Sequence, residues 1–166
     1  MIWIILLLAT IPVVHVIQSG IIKERLTKVN QVLAPMDAQF QRRLNLIPDL
    51  VALLSIPLQS ADLLAELTKL RNKSISPFLA EEEKISLDKK LSQVLKETLE
   101  AADQVPAITT HSRFRQLHNL FYDIEAQLGQ LRSAYNEAAK EFNASFRNFP
   151  TNVFVSLMNL KEKVLF

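Results

Sequence analysis

Polar side chains on two predicted helices are the residues of this 166-residue chain that could do chemistry. Carboxylate, guanidinium and amide groups can join facing helices through ion pairs and hydrogen bonds. The candidates lie beside two apolar stripes, and they are Asp37, Gln39, Arg42, Arg43, Glu125, Arg132, Tyr135, Asn136 and Asn143. Their chemistry predicts a structural polar network between helices.

The charged residues of the two stripes are complementary. We expect either Arg42 or Arg43 to pair with Glu125, and we expect Arg132 to pair with Asp37. Removing one partner from a half-buried ion pair is costly, and buried polar groups can set the register of packed helices. We therefore interpret this network as one that fixes helix register and not as a ligand site.

Tyr135, Asn136 and Asn143 form a second polar patch on the last long predicted helix. Asn136 and Asn143 are seven residues apart, so their side chains lie on one face of that helix. Their amides can bond to backbone carbonyls that are left without a donor by Pro48. The alternative function of the patch is a peptide-binding or partner-binding face, but we favour the structural interpretation.

The sequence contains no pattern of catalytic or metal-binding residues. His111 and His118 are two helical turns apart, too far to chelate one ion without other ligands. Two isolated glycines exclude a glycine-rich phosphate loop, and the lack of cysteine excludes disulfides and thiolate metal sites. We predict no catalytic residues, no cofactor site, no metal site and no enzyme activity.

The first 22 residues carry no charged side chain, and Lys23, Glu24 and Arg25 follow at once. A bilayer core of ~30 Å requires about 20 mostly apolar residues in helical form. We predict that residues 1–22 are a single-pass transmembrane anchor, with a cleaved signal peptide as the alternative. Basic residues on the C-terminal side of the span favour a cytoplasmic location for the rest of the chain.

Helical periodicity dominates the remaining sequence. Apolar residues recur at steps of three and four from Ile22 to Leu58 and again from Phe114 to Phe142. This pattern predicts an all-α fold, an extended antiparallel helical bundle of three long helices and one short helix over residues 23–150. Residues 151–166 are an apolar tail with a short C-terminal helix, which either caps the bundle or enters the lipid interface.

Prolines mark the expected helix boundaries. We expect Pro35 and Pro48 to bend the first helix without breaking it, because each removes only one backbone donor. Ser76 and Pro77 are typical of an N-cap and a first helical turn, so they predict the start of the third helix. Pro106 is expected to end that helix.

Two blocks of sequence resemble a known family. Residues 37–51, DAQFQRRLNLIPDLV, resemble the D-x-Q-x-x-R-R-x-x-L-I-P-x-L-V signature of LemA family proteins. The second LemA-like block runs from Glu125 through Asn143 to Phe149 and Pro150. Leu33 and Thr151 stand where the family usually has tryptophan and glycine. The resemblance implies an N-terminally anchored bacterial helical bundle without an established biochemical activity.

The expected function is that of a non-catalytic adaptor or scaffold at the bacterial cell membrane. The partners that we expect are the lipid bilayer and proteins of unknown identity, while an oligomer is left open. Nucleic acid is not expected, because 19 basic and 17 acidic residues are balanced and no basic block interleaves with aromatic residues. The alternatives are a protein that organises or remodels lipid through its anchor and tail, and a binding protein released by signal cleavage.

Overall fold

The computed structural model of the chain describes residues 2–58 and 60–166, and over residues 2–11 it describes the backbone alone. The described residues form α-helices and one 3₁₀ turn, with no strand, which confirms the all-α prediction. The helices are α1 (Ile2–Leu54), α2 (Ala61–Ser74), α3 (Glu81–Asp103), α4 (Pro106–Thr109), α5 (Ser112–Asn143) and α6 (Thr151–Leu157), and the 3₁₀ turn is Ala144–Phe146.

The chain divides into two compact units. The bundle unit is Met36–Gln130, and the tail unit combines Met1–Pro35 with Leu131–Phe166. Helices α1 and α5 each contribute a segment to both units. The predicted boundaries at residues 22 and 150 therefore do not coincide with this division, because the units are defined by packing and not by hydropathy along the chain.

The bundle unit is built from antiparallel neighbours around one apolar core. Arg71 Nε of α2 donates to the Leu44 carbonyl of α1 at 2.9 Å, while the chain reverses direction after Leu54. Lys73 and Glu83 form an ion pair at 2.9 Å across the connection from α2 to α3. The core contains apolar residues from all the helices that enter this unit, among them Leu50, Leu67, Leu91, Ile108, Leu117 and Phe121. Each such fully buried side chain contributes about 1.5–3 kcal/mol of transfer free energy.

Proline positions confirm two expectations and correct a third. Pro35 and Pro48 lie inside α1, as predicted. The prediction that Ser76 and Pro77 begin the third helix is wrong, since α3 begins at Glu81 after an extended residue 80. Three glutamates then occupy the first turn of α3, where the helix dipole favours negative charge. Helix α3 ends at Asp103, shortly before Pro106, and Val105 between them is extended, as expected for a residue that precedes proline. Pro106 itself occupies the first turn of α4, where its missing donor is harmless.

The tail unit ends in a helix followed by a reversal of the chain. Helix α6 closes with a Schellman motif in which the Leu160 N–H donates to the Val155 carbonyl at 3.1 Å. The Asn159 N–H donates to the Ser156 carbonyl at 3.0 Å, and Asn159 takes a left-handed conformation with φ of 49°. Asparagine tolerates that conformation better than most residues. The predicted C-terminal helix is therefore confirmed over Thr151–Leu157, and residues 160–166 are not helical.

Residues 1–22 are only partly within the described structure. Met1 and the side chains of residues 2–11 lie outside it, and they form the first half of the predicted anchor. Within the described residues, no helix has both the length and the apolar character needed to cross a membrane. The anchor stays a prediction from the sequence.

Candidate functional site

Arg43 is the centre of a buried polar cluster in the bundle unit. Its side chain is 2% exposed because it projects from α1 toward α3 and α5. Arg43 Nη1 donates to Glu125 Oε1 at 2.6 Å and to Ser92 Oγ at 2.8 Å, and Nη2 donates to Asp88. Ser92 Oγ in turn donates to Glu125 Oε2 at 2.9 Å. The cluster thus links three helices through one guanidinium group.

The surroundings of Arg43 supply two carboxylates and an aromatic ring. Asp88 is 5% exposed and Glu125 is 28% exposed, so two carboxylates of different burial share one cation. The guanidinium carbon also lies 5.5 Å from the centre of the Phe40 ring, within the range of a cation–π contact. Charge-assisted bonds of this kind are directional, and they fix the positions of the helices that carry them.

The structure selects Arg43 over Arg42 as the partner of Glu125. Arg42 is exposed on the same helix, so the first of the two alternatives in the predicted pairing is wrong. Its side chain points to solvent because α1 turns each successive residue by about 100°. The sequence prediction missed Asp88 and Ser92. Asp88 had a visible signal, since it directly follows Leu87 on the apolar side of α3.

The other predicted network residues have different environments. Gln39 Nε2 donates to Gln127 Oε1 at 2.7 Å, which joins α1 to α5 within the bundle unit. Asp37 is exposed in the bundle unit, and Arg132 is half-buried in the tail unit. The predicted Arg132–Asp37 pair stays a prediction, because the two residues belong to different units.

Asn136 and Asn143 hold residues 160–166 against α5 in the tail unit. Asn143 Nδ2 donates to the Lys163 carbonyl at 2.8 Å, and its Oδ1 accepts from the Lys163 N–H at 2.7 Å. Asn136 Nδ2 donates to the Phe166 carbonyl at 3.1 Å, and its Oδ1 accepts from the Phe166 N–H at 2.8 Å. Each amide therefore pairs with both main-chain polar groups of one residue. We call Tyr135, Asn136 and Asn143 the tail cradle.

The spacing of the tail cradle matches the repeat of an extended chain. Seven residues of an α-helix rise about 10.5 Å, which separates the two asparagines along α5. Three residues of polyproline II rise about 9.3 Å and complete one turn, so residues 163 and 166 present their main-chain groups in the same direction. A β-strand repeats every second residue and would turn one of them away. The cradle thus suits a chain with a threefold repeat.

An aromatic contact completes the tail cradle. The ring of Tyr135 is fully buried, and the Phe166 ring meets it edge-on with 5.3 Å between the centroids and 89° between the planes. Edge-to-face pairs of this geometry contribute about 0.5–1.5 kcal/mol beyond the area that they bury. Phe166 is therefore the side chain that anchors the segment.

The predicted partners of Asn136 and Asn143 were wrong. Their amides bond to the main chain of residues 163 and 166 and not to carbonyls near Pro48. The physical reason is that residues 160–166 have no helical or sheet ladder, so their main-chain groups are open to other partners, which the two asparagines supply. Two asparagines on one helix face and an apolar C-terminal tail were the available signals.

A family model matches residues 32–166, which include both the Arg43 cluster and the tail cradle. The chain belongs to the LemA family. No curated protein matches it. The LemA match begins after residues 1–31, so the predicted anchor lies outside the matched region. In the described part of this LemA protein, no group of three or more histidine, aspartate or glutamate side chains could hold a metal ion.

Proposed function

We propose that this LemA protein is a membrane-anchored, non-catalytic adaptor or scaffold for protein partners. The observation that carries the proposal is the tail cradle, whose two amides bind an extended polypeptide through its main chain. Binding of this type recognises protein segments and needs no reactive group. An adaptor requires a surface that can hold a peptide segment, and the tail cradle is such a surface.

The Arg43 cluster supports a structural scaffold. One guanidinium group joins α1, α3 and α5, and each helix contributes a partner of fixed geometry. Buried ionic groups can specify helix register, although they add little net stability compared with apolar residues. In an adaptor such a cluster keeps the surface of the bundle unit in one arrangement.

The membrane part of the proposal is supported by the sequence of residues 1–22 and by exposure near its end. Val13, Val16 and Ile17 of α1 are 58%, 69% and 55% exposed. Three large apolar side chains on one short segment would be covered by lipid if the segment were inserted. Lys23 and Arg25 follow the segment, and under the positive-inside rule such residues favour a cytoplasmic location for the rest of the chain.

Membrane fractionation of the full chain tests the anchor. We expect the intact chain to sediment with membranes and to be released by detergent but not by alkaline carbonate. Ile5→Arg combined with Leu8→Arg should move it to the soluble fraction, because each arginine at the centre of a span costs about 2.5–3.5 kcal/mol. Thr27→Arg, beyond the span, is the control. A soluble wild-type chain, or a mature chain that begins near residue 20, would contradict the anchor.

The alternative function is direct action on lipid, and the outer face of α6 favours it. Val153 and Leu157 of α6 are four residues apart and are 47% and 73% exposed, and Phe149, just before the helix, is 83% exposed. The His15 and Phe154 rings lie 5.4 Å apart, so α6 packs beside a part of α1 within the predicted anchor. An exposed apolar stripe at that level would meet the lipid interface.

Tryptophan quenching distinguishes the lipid alternative from the adaptor. The chain has one tryptophan, Trp3, so Trp3→Phe with Leu157→Trp leaves a single reporter on α6. Brominated lipids should quench this reporter if α6 contacts the acyl chains. Trp3→Phe with Tyr122→Trp places the control reporter at an exposed site of the bundle unit. Equal, weak quenching at both positions would exclude direct action of α6 on lipid.

A further inference from the structure

We propose that the tail cradle is an exchangeable peptide site, occupied in cis by residues 160–166 and in trans by an extended segment of a partner membrane protein. The partner segment carries an aromatic residue at the position of Phe166 and has main-chain N–H groups at the positions of Lys163 and Phe166. The inference rests on the proposed adaptor function and names the class of partner that the adaptor binds.

The hydrogen bonds of Asn136 and Asn143 are independent of sequence. The hydrogen bonds of both amides go to main-chain atoms of the bound segment, so these bonds exclude proline at the two paired positions and impose no other side-chain requirement. The Phe166 ring against Tyr135 adds a side-chain contact that selects for an aromatic residue. The cradle is therefore able to accept segments that share its spacing but not the sequence of the tail.

The geometry also defines the conformation of the partner segment. Paired residues three positions apart that present the same side fit a threefold repeat, which is the repeat of polyproline II. Proline favours this conformation and is acceptable at the two positions between the paired residues, which here are Val164 and Leu165. The partner is thus an extended segment with two paired residues three positions apart, and the second of them is aromatic, like Phe166.

Residues 160–166 are attached in a way that permits exchange. Leu160 is joined to the closing turn of α6 through its bond to Val155, and Val155 is itself 1% exposed in the core of the tail unit. Lys161, Glu162 and Leu165 are exposed. Helix α6 has a buried side of its own, formed by Thr151 and Val155. The proposal therefore requires that the segment leaves while α6 stays packed through that side.

The location of the cradle favours a partner at the membrane surface. Arg25 Nη1 donates to Ser145 Oγ at 2.8 Å, and Lys28 lies 3.7 Å from Glu141, so Asn143 is level with residues 25–28 of α1. These residues follow the predicted anchor within about two helical turns. A segment that reaches the cradle from another membrane protein therefore needs to extend only a short distance from the bilayer.

Exchange requires competition with the chain's own tail. A short flexible connection gives an intramolecular segment an effective concentration in the millimolar range. A partner segment at lower concentration binds weakly until the tail is released or the partner is concentrated at the same membrane. The tail therefore sets a threshold for partner binding.

Peptide binding to the full chain in detergent tests the proposal. The probe is a fluorescein-labelled peptide with the sequence MNLKEKVLF of residues 158–166. We expect it to bind a tail-release variant, Lys163→Pro with Phe166→Ala, at least tenfold more tightly than the unmodified chain. Adding Asn136→Leu and Asn143→Leu to the release variant should weaken binding at least tenfold, with circular dichroism and the melting temperature reporting whether the helices stay folded.

Modified peptides keep the test independent of protein folding. N-methylation of the residue equivalent to Lys163 or to Phe166 removes the paired N–H and should weaken binding at least tenfold. Proline in place of the residue equivalent to Leu165 should leave the affinity within about threefold. Equal affinities for all these peptides, or no binding to the release variant, would overturn the proposal.

The oligomeric state identifies the occupant in trans. If the release variant becomes monomeric while the unmodified chain is a dimer in detergent, the occupant is the tail of a second copy and the assignment to a partner protein fails. A monomer in both cases supports a partner protein.

Crosslinking of a partner to the bundle unit alone would remove the cradle proposal and leave the adaptor function standing, whereas a soluble native chain would remove the anchor and leave the cradle testable.

Discussion

The side-chain amide of Asn143 forms two hydrogen bonds with the main chain of Lys163, at 2.8 Å and 2.7 Å, across a separation of 20 residues. A single helical side chain thereby satisfies both polar groups of a residue that has no helix or strand of its own. The same arrangement recurs seven residues earlier between Asn136 and Phe166. Two equivalent contacts on one face of α5 define a site for an extended chain.

Removing one cradle amide should release the tail without unfolding the helices. Asn143→Ala deletes two hydrogen bonds, each with a net value of about 0.5–1.5 kcal/mol. We expect hydrogen exchange at the Lys163 amide to become about tenfold faster, while exchange in the middle of α3 is unchanged. Asn119→Ala, at an exposed position of α5, is the control. Unchanged protection of the Lys163 amide would show that other contacts hold the tail.

Proline at two neighbouring tail positions should have opposite effects. Lys163→Pro removes the N–H that donates to Asn143 Oδ1 and should detach the segment. Leu165→Pro leaves both paired residues intact and fits the φ of about −75° of polyproline II. Two-dimensional NMR of residues 160–166 measures the result. Detachment by both prolines would contradict the threefold conformation.

Loss of Arg43 should destabilise the bundle unit strongly. Arg43→Met leaves the Asp88 carboxylate buried without its cation, and breaking a buried pair in this way costs about 3–5 kcal/mol. Urea denaturation measures the free energy of unfolding. Arg42→Met is the matched control on the adjacent, exposed position, and it should change stability by no more than about 0.5 kcal/mol. Equal effects at both positions would refute the role of the cluster.

The two carboxylates should be coupled unequally to Arg43. Asp88 is 5% exposed and Glu125 is 28% exposed. When Arg43 is lost, water can therefore solvate the Glu125 carboxylate but cannot reach the Asp88 carboxylate. Double-mutant cycles of Arg43→Met with Asp88→Ala and with Glu125→Ala should give the larger coupling energy for Asp88. Larger coupling to Glu125 would reverse this ranking.

Exchange of the charges between Arg43 and Glu125 should fail to restore stability. The carboxylate introduced by Arg43→Glu would face Asp88, and two buried carboxylates repel each other. Arg43→Glu with Glu125→Arg should therefore stay at least as unstable as Arg43→Met. Adding Asp88→Asn should recover part of the loss, because it removes the repulsion. Full recovery by the exchange alone would mean that Asp88 is not part of the cluster.

Local patterns predicted much of the helical architecture. The steps of three and four from Ile22 to Leu54 became the buried and half-buried face of α1, because a helix returns the same face to the core every 3.6 residues. Leu58, the last residue of the predicted stripe, is buried beyond the end of that helix. Proline gave a weaker signal at helix starts. Pro77 does not lie in a helix, and the nearby helix α3 begins instead at its three glutamates. Pro106, in contrast, is the first residue of α4.

The candidate residues were predicted by type better than by partner. Arg43, Glu125, Asn136 and Asn143 all make contacts between separate segments. Asp88 was missed although it lies among apolar residues of α3, because a single charge on an amphipathic helix is usually solvated. Which of Arg42 and Arg43 is buried depends on the rotation of α1 about its axis relative to the neighbouring helices. The spacing of an apolar stripe defines that rotation only to within one residue.

By itself, the sequence determined the all-α class and the amphipathic stripes, because hydrophobic periodicity is a property of neighbouring residues along the chain. It also determined which polar residues lie beside those stripes. Only the tertiary structure decided that Arg43 bonds to Asp88, and that Asn136 and Asn143 hold the chain's own tail. Those contacts join residues far apart in sequence, and their partners depend on how the chain reverses after α6 and how helices rotate when they pack.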